Sequence, residues 1–188
     1  MVPDFVFGYG SLVAGDGRPP TRTVDARGFV ADLPGHRREW GVAMDNRRDL
    51  PGYKYYTDSA GQRPEVYVAF LDVRPVEDPE ACVNGLCLPV DAAGLARLDR
   101  RERNYRRVDV SDRIDAGGAR VWAYVGSPEA RERLSAGRRS GRAVIDAGYV
   151  TVVTSGFAAL GETELDACLP SLEPGGLPVV PLHRHDLP

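Results

Sequence analysis

Segments with strand character fill the first two thirds of this chain, and the strongest helical periodicity comes only afterwards. Apolar and β-branched residues alternate or run together over residues 4–9, 23–33, 38–44, 65–73, 81–90, 105–114 and 120–125, most of them bounded by Gly, Pro, Asp or Asn. The main helical pattern covers residues 142–160, with Ile145, Tyr149, Val152, Val153, Phe157 and Leu160 on one stripe suited to covering a sheet. A shorter helix opens at Ser127, where an N-cap serine, the first-turn Pro128 and the dipole-favourable Glu129 stand in order. It runs through Leu134 and is expected to end at Gly137. Regular βαβ alternation is missing, so the expected fold is α+β: a small mixed β-barrel or curled sheet with surrounding helices.

No repeat or linker divides residues 1–188, which read as a single domain. At 188 residues, 43% of them apolar, folding can bury roughly 70% of the surface of the unfolded chain, enough for a core without staples. Cys82, Cys87 and Cys168 are odd in number, and the first two should face opposite sides of one strand, so three free thiols are expected. Net charge is −3, with an isoelectric point near 5.7, which offers nucleic acid or an anionic membrane no general attraction. No apolar run reaches the roughly 20 residues needed for a bilayer, and the first residues lack the basic-then-apolar layout expected of a secretory signal, so a cytoplasmic protein is expected.

Two local features carry chemistry. Phe5-Val6-Phe7-Gly8-Tyr9-Gly10-Ser11-Leu12 is an apolar strand leading into a glycine-bracketed turn, whose backbone N–H groups can face an anion or oxyanion. A dinucleotide fingerprint would need glycine where the chain has Val13 and a helix where it has Gly15, Asp16, Gly17, Pro19 and Pro20. A nucleophile elbow around Ser11 would need glycines at positions 9 and 13. Neither motif fits, and taken alone the turn also reads as a plain exit from an edge strand.

The second feature is a carboxylate on an apolar stripe. Asp91 caps a helix whose apolar positions are Leu95 and Leu98, and Glu102 follows them at helical spacing, aimed inward. Asp99, Arg100, Arg101 and Arg103 point elsewhere. Desolvation and the negative end of the helix dipole both raise the pKa of such an acid, which can then take and return protons near neutral pH. The alternative is a helix that ends a turn early and leaves Glu102 on the surface beside Arg106.

Together, residues 7–12 and the run Leu98-Asp99-Arg100-Arg101-Glu102-Arg103-Asn104-Tyr105-Arg106-Arg107-Val108 resemble the γ-glutamylcyclotransferase family, especially its ChaC-like branch. Residues 82–88 look like the strand before that branch's Leu-Asp-x-x-Glu helix, and Ile145 to Tyr149 with Leu160-Gly161 are similar to its closing helix. Residues 45–64 and the tail after 170 have no counterpart. The resemblance implies a small mixed β-barrel in which Tyr9, Gly10, Ser11 and Leu12 cradle a small-molecule γ-glutamyl substrate, with Tyr105 and Tyr124 near the pocket and Glu102 as acid/base. It also implies release of 5-oxoproline by attack of the substrate α-amine on its own γ-carbonyl, a reaction that needs no enzyme nucleophile, metal or cofactor, and it leaves a homodimer open. From the residues alone, Tyr105 and Tyr124 are equally well read as core packing.

Three further readings complete the expectations. Pro51-Gly52-Tyr53-Lys54-Tyr55-Tyr56 reads either as a lid over the site or as a surface loop. Arg37 and Arg38 follow the Pro34-Gly35 turn and read as a solvated strand end, with pairing to a substrate carboxylate as the other option. The Pro-rich residues 170–188 should run extended over the surface, either packed or offered to a partner as a strand; His183 and His185 there lack a third ligand at metal-site spacing. A non-catalytic module that senses a γ-glutamyl or other carboxylated metabolite is the competing function.

Overall fold

Both faces of β1 (Asp4–Gly8) are apolar because both are covered in the computed structural model, which describes residues 4–14 and 28–187. Phe5 and Phe7 point into the main core with Leu33, Leu71, Ile145 and Phe157; Val6, on the opposite face, packs with Leu95 and Tyr124. The sheet around this strand has the order β2 (Phe29–Pro34), β6 (Cys82–Val90), β1, β8 (Val121–Gly126), β7 (Tyr105–Asp109). Within it β1 runs antiparallel to β6 and parallel to β8. A second sheet has the order β10 (Val179–Val180), β9 (Ala143–Asp146), β5 (Tyr67–Pro75), β3 (His36–Asp45), and a two-stranded ribbon pairs β11 (His183–Asp186) with β4 (Lys54–Thr57).

The architecture is mixed α+β, but among the described residues the strands do not close into the expected barrel. No ladder joins the edge strands of the two larger sheets; Asp72 of β5 bridges the sheets, accepting the backbone N–H of Gly126 at 2.6 Å and holding the Arg131 guanidinium at 2.8 Å. A side chain therefore satisfies a donor at the end of β8, and the sheets are joined by this bond and by packing.

Among the described residues four helices cover these sheets: α1 (Ala92–Arg101), α2 (Pro128–Arg139), α3 (Ala147–Leu160) and α4 (Glu162–Cys168). Asp91 and Ser127 cap α1 and α2 as expected, accepting from Gly94 at 2.6 Å and Ala130 at 3.1 Å. The helix expected from residue 142 begins only at 147. Ala143-Val144-Ile145-Asp146 is a fully buried strand parallel to β5, and Asp146 caps α3 through the N–H groups of Gly148 and Tyr149. A short buried strand has no exposed face, so its apolar run merges with the helical stripe that follows.

The other differences are smaller. Gly137 lies inside α2, two residues before its end, and the strand expected to reach residue 114 stops at Asp109. The proposed strand at 23–33 is seen from Phe29; its first five residues lie outside the described residues. The tail is extended, but its strands pair with this chain's own β9 and β4. Cys82 is exposed, Cys87 and Cys168 are buried, and all three are free. Among the described residues no helix is long and apolar enough to cross a membrane.

Candidate active site

Beyond Gly8 the chain turns through Tyr9 and Gly10 into a 3-10 turn, Ser11–Ala14, closed by Val13 N–H donating to the Gly10 carbonyl at 3.0 Å. Gly8 and Gly10 do not have left-handed backbone angles, so their role here is spatial. A β-carbon on Gly10 would lie 2.9 Å from the Tyr149 hydroxyl oxygen, and one on Gly156 of α3 would lie 2.8 Å from the Ala14 nitrogen. Turn and helix meet at backbone distance, which brings Tyr149 over the turn.

Glu102 reaches the same place from the other side. It stands one residue past α1 as its C-cap, with its N–H donating to the Leu98 carbonyl at 2.7 Å. The helix thus ends a residue earlier than the spacing suggested, yet the side chain still turns inward and is only 17% exposed. Its ionic neighbour is Arg101, at 3.3 Å, and Arg106 takes no part. Burial pushes the Glu102 carboxyl above its ordinary range, while Arg101, Lys54 and Arg184 pull it partway back.

Two adjoining cavities meet at this carboxyl. The inner one, about 30 Å³, is lined by all the residues singled out from the sequence: Tyr9, Gly10, Ser11, Leu12, Glu102, Tyr105 and Tyr124. The outer one, about 340 Å³, shares Ser11, Glu102, Tyr105 and Tyr149 with it and opens past Tyr53, Lys54, Phe70 and Arg184. The tyrosines serve the core and the cavity together. Tyr9 donates to the Tyr124 carbonyl at 2.5 Å, Tyr105 to the Leu71 carbonyl at 2.7 Å and Tyr124 to Asp99 at 2.7 Å, so each ring is fixed by its hydroxyl while its edge lines the void.

Several lining residues escaped the sequence reading. The supposed lid is a fixed wall: Tyr53 and Tyr56 are buried, Asn46 bonds both the N–H and the carbonyl of Tyr56, and β11 zips along the strand. Lys54 lies 4.3 Å from the centre of the Phe70 ring, and burial lowers its ammonium to about 8, with Arg184 adding repulsion and Glu102 opposing it. Arg184 comes from the tail, where the sequence held no signal of its destination. Arg38, expected in solvent, is only 5% exposed; it donates to the Tyr9 carbonyl at 3.1 Å and to Asn84. Among the described residues no group of His, Cys, Asp and Glu side chains could hold a metal ion. His185 stacks on Tyr55 and meets Thr57 at 2.9 Å.

Fold and site together define a class: a mixed α+β protein with a half-dry carboxyl poised over a glycine turn, suited to moving protons on a small bound molecule. The profile of the family described as gamma-glutamyl cyclotransferase, AIG2-like, matches residues 6–142, and the chain belongs to that family. No curated protein matches it in sequence. Among solved structures it is similar to YkqA from Bacillus subtilis, at 15% identity and a TM-score of 0.52, over 95% of this chain and 56% of that one, so it spans little more than half that protein's length. Weaker likenesses are to a glutathione-specific γ-glutamyl cyclotransferase from yeast (15% identity, TM-score 0.43, 67% of this chain and 69% of that one) and to a protein described as gamma-glutamyl cyclotransferase (14%, 0.48, 92% and 89%).

Proposed function

We propose that this protein is a γ-glutamyl cyclotransferase that converts a γ-glutamyl peptide or amine into 5-oxoproline and a free amine. The observation that carries this reading is the position of Glu102, desolvated and shared by both cavities, opposite the Tyr9 to Leu12 turn. The glutamyl end would lie in the outer cavity where it meets the inner one, its α-carboxylate or developing oxyanion turned toward N–H groups of the turn. Glu102 would accept a proton from the α-ammonium, whose pKa is about 8 in water, freeing the nitrogen to attack the γ-carbonyl. As the five-membered ring closes and the original C–N bond breaks, the same carboxyl would return that proton to the departing nitrogen, and the second proton shed by the ring nitrogen would leave with the amine as its ammonium. Folding the glutamyl chain into a near-attack shape could supply several kcal/mol, within the roughly 7–11 kcal/mol available to intramolecular orientation.

Family membership and the inward acid both favour an enzyme over a sensor on the same fold, since a sensor has no need of a proton carrier. The resemblance of residues 82–88 and 98–108 to the ChaC-like branch puts glutathione on the list of substrates to try, beside γ-glutamyl dipeptides and γ-glutamylated amines. The test is incubation with that panel and measurement of 5-oxoproline. Product from at least one substrate supports the reading; ligand-induced stabilisation without product would point to the sensor.

A further inference from the structure

The far wall of the outer cavity is the β4–β11 ribbon. Antiparallel pairing sets Lys54 opposite Asp186 and Tyr56 opposite Arg184. Opposed residues share a face of a sheet, as do residues two apart along a strand, so Lys54, Tyr56 and Arg184 stand on one side of the ribbon. All three line the cavity, whose volume of about 340 Å³ is that of a site for a whole small molecule.

The charge of this lining is not balanced from within. Lys54, Arg101 and Arg184 stand against Glu102 and Asp146. Asp146 is occupied by backbone, accepting from the N–H groups of Gly148, Tyr149 and Leu182, and Glu102 faces Arg101 at 3.3 Å. Arg184 donates to Asp186 through Nε and Nη2, at 2.9 and 2.6 Å, which leaves Nη1 uncommitted. Lys54 has no hydrogen bond or ion pair to any described residue; its Nζ lies 4.3 Å from the centre of the Phe70 ring and 5.6 Å from that of Tyr53. Nor is that nitrogen sealed away: among the described residues the unpartnered side-chain atoms without exposed surface are Arg38 Nε and Arg131 Nη2. An ammonium held between two aromatic rings has given up much of its water without gaining a carboxylate, and an anionic group on a ligand would supply one.

We propose that Lys54 and Arg184 select the departing half of the substrate, so that the amine released is that of an amino acid or short peptide, whose carboxylate is held by Lys54 Nζ and Arg184 Nη1. This rests on the cyclotransferase reading above. With the glutamyl end at the Tyr9 to Leu12 turn and the departing nitrogen near Glu102, the remainder of the molecule extends along the outer cavity to the ribbon, its apolar part against Phe70 and Leu182. A positively charged leaving amine meets three cations there and is rejected, and a neutral one leaves Lys54 without its counter-ion. Arg184 lies outside the family-matched residues, so this selection belongs to this chain's own tail.

The test uses glutaryl amides, which lack the α-amine and so cannot cyclise, with Kd measured by calorimetry on the wild-type chain. Glutaryl-alanine should bind about 10–100-fold more tightly than glutaryl-alaninamide, which differs only in losing the second carboxylate, and glutaryl-1,4-diaminobutane should bind most weakly. Lys54→Met and Arg184→Gln, the latter a change to an exposed side chain, should each narrow the first gap by about threefold or more. Equal Kd for the alanine compound and its amide would assign both cations to the glutamyl carboxylate and overturn the proposal. A gap unchanged in both variants, tighter binding of the diaminobutane compound, or binding by none of the three would overturn it as well. No step requires 5-oxoproline: if γ-glutamyl substrates yield none while glutaryl-alanine is selected, the cyclotransferase reading falls and the selectivity of the cavity stands.

Discussion

The Tyr149 hydroxyl oxygen occupies the space beside Gly10, 2.9 Å from where a β-carbon on that residue would sit. Gly10→Ala should therefore push apart the turn and α3, destabilising the protein by about 1–3 kcal/mol and lowering the proposed cyclotransferase activity. Tyr149→Phe in the same chain should restore part of the stability. A double-mutant cycle in urea measures the coupling; strict additivity would show that the contact does not matter.

Glu102→Gln preserves shape and removes proton capacity. Turnover should fall by about 10²–10⁴-fold with the circular dichroism spectrum unchanged. Retained 5-oxoproline release would remove Glu102 from the mechanism.

The same substitution has a pH signature. Because burial raises the native carboxyl above its unfolded value of about 4.3, the folded state binds this proton more tightly. The stability it contributes is present in full below the unfolded value and is lost as pH climbs through the native one. Wild type should thus lose ground to Glu102→Gln between acid and neutral pH. Chemical denaturation of both proteins across that range checks the sign.

Lys54 works in the opposite sense. Its native pKa of about 8 is below the unfolded value of about 10.4, so the protein gains stability as pH rises from the first to the second. Lys54→Met should be more thermostable than wild type at pH 7, with the difference shrinking above pH 8. Parallel Tm curves from pH 7 to pH 10 would contradict this.

Asp72 is fully buried between Gly126 and Arg131 and joins the two main sheets. Asp72→Ala leaves a cation and an amide without their acceptor and should cost about 3–5 kcal/mol in equilibrium unfolding.

What could be read from the sequence followed distance along the chain. Glu102 was legible because Leu95 and Leu98 report the inward face of α1 within two turns, and that face persists past the helix end. The caps Asp91 and Ser127 were legible for the same local reason. Arg38 was not, because the groups that bury it, Asn84 and Phe157, come from distant strands and helices. Nor was the wall of the outer cavity: Tyr53 to Tyr56 look like a loop until β11 supplies their partners, with Thr57 meeting His185 across 128 positions. Barrel closure was not legible because it depends on whether edge strands from distant parts of the chain pair, and strand propensity does not report a strand's partner.

The β4–β11 pairing also bears on how the molecule is assembled. Like the pairing of β1 with β8, it closes one of the widest loops of the fold, so a chain cut short before residue 183 would leave β4 without its neighbour and the outer cavity without Arg184.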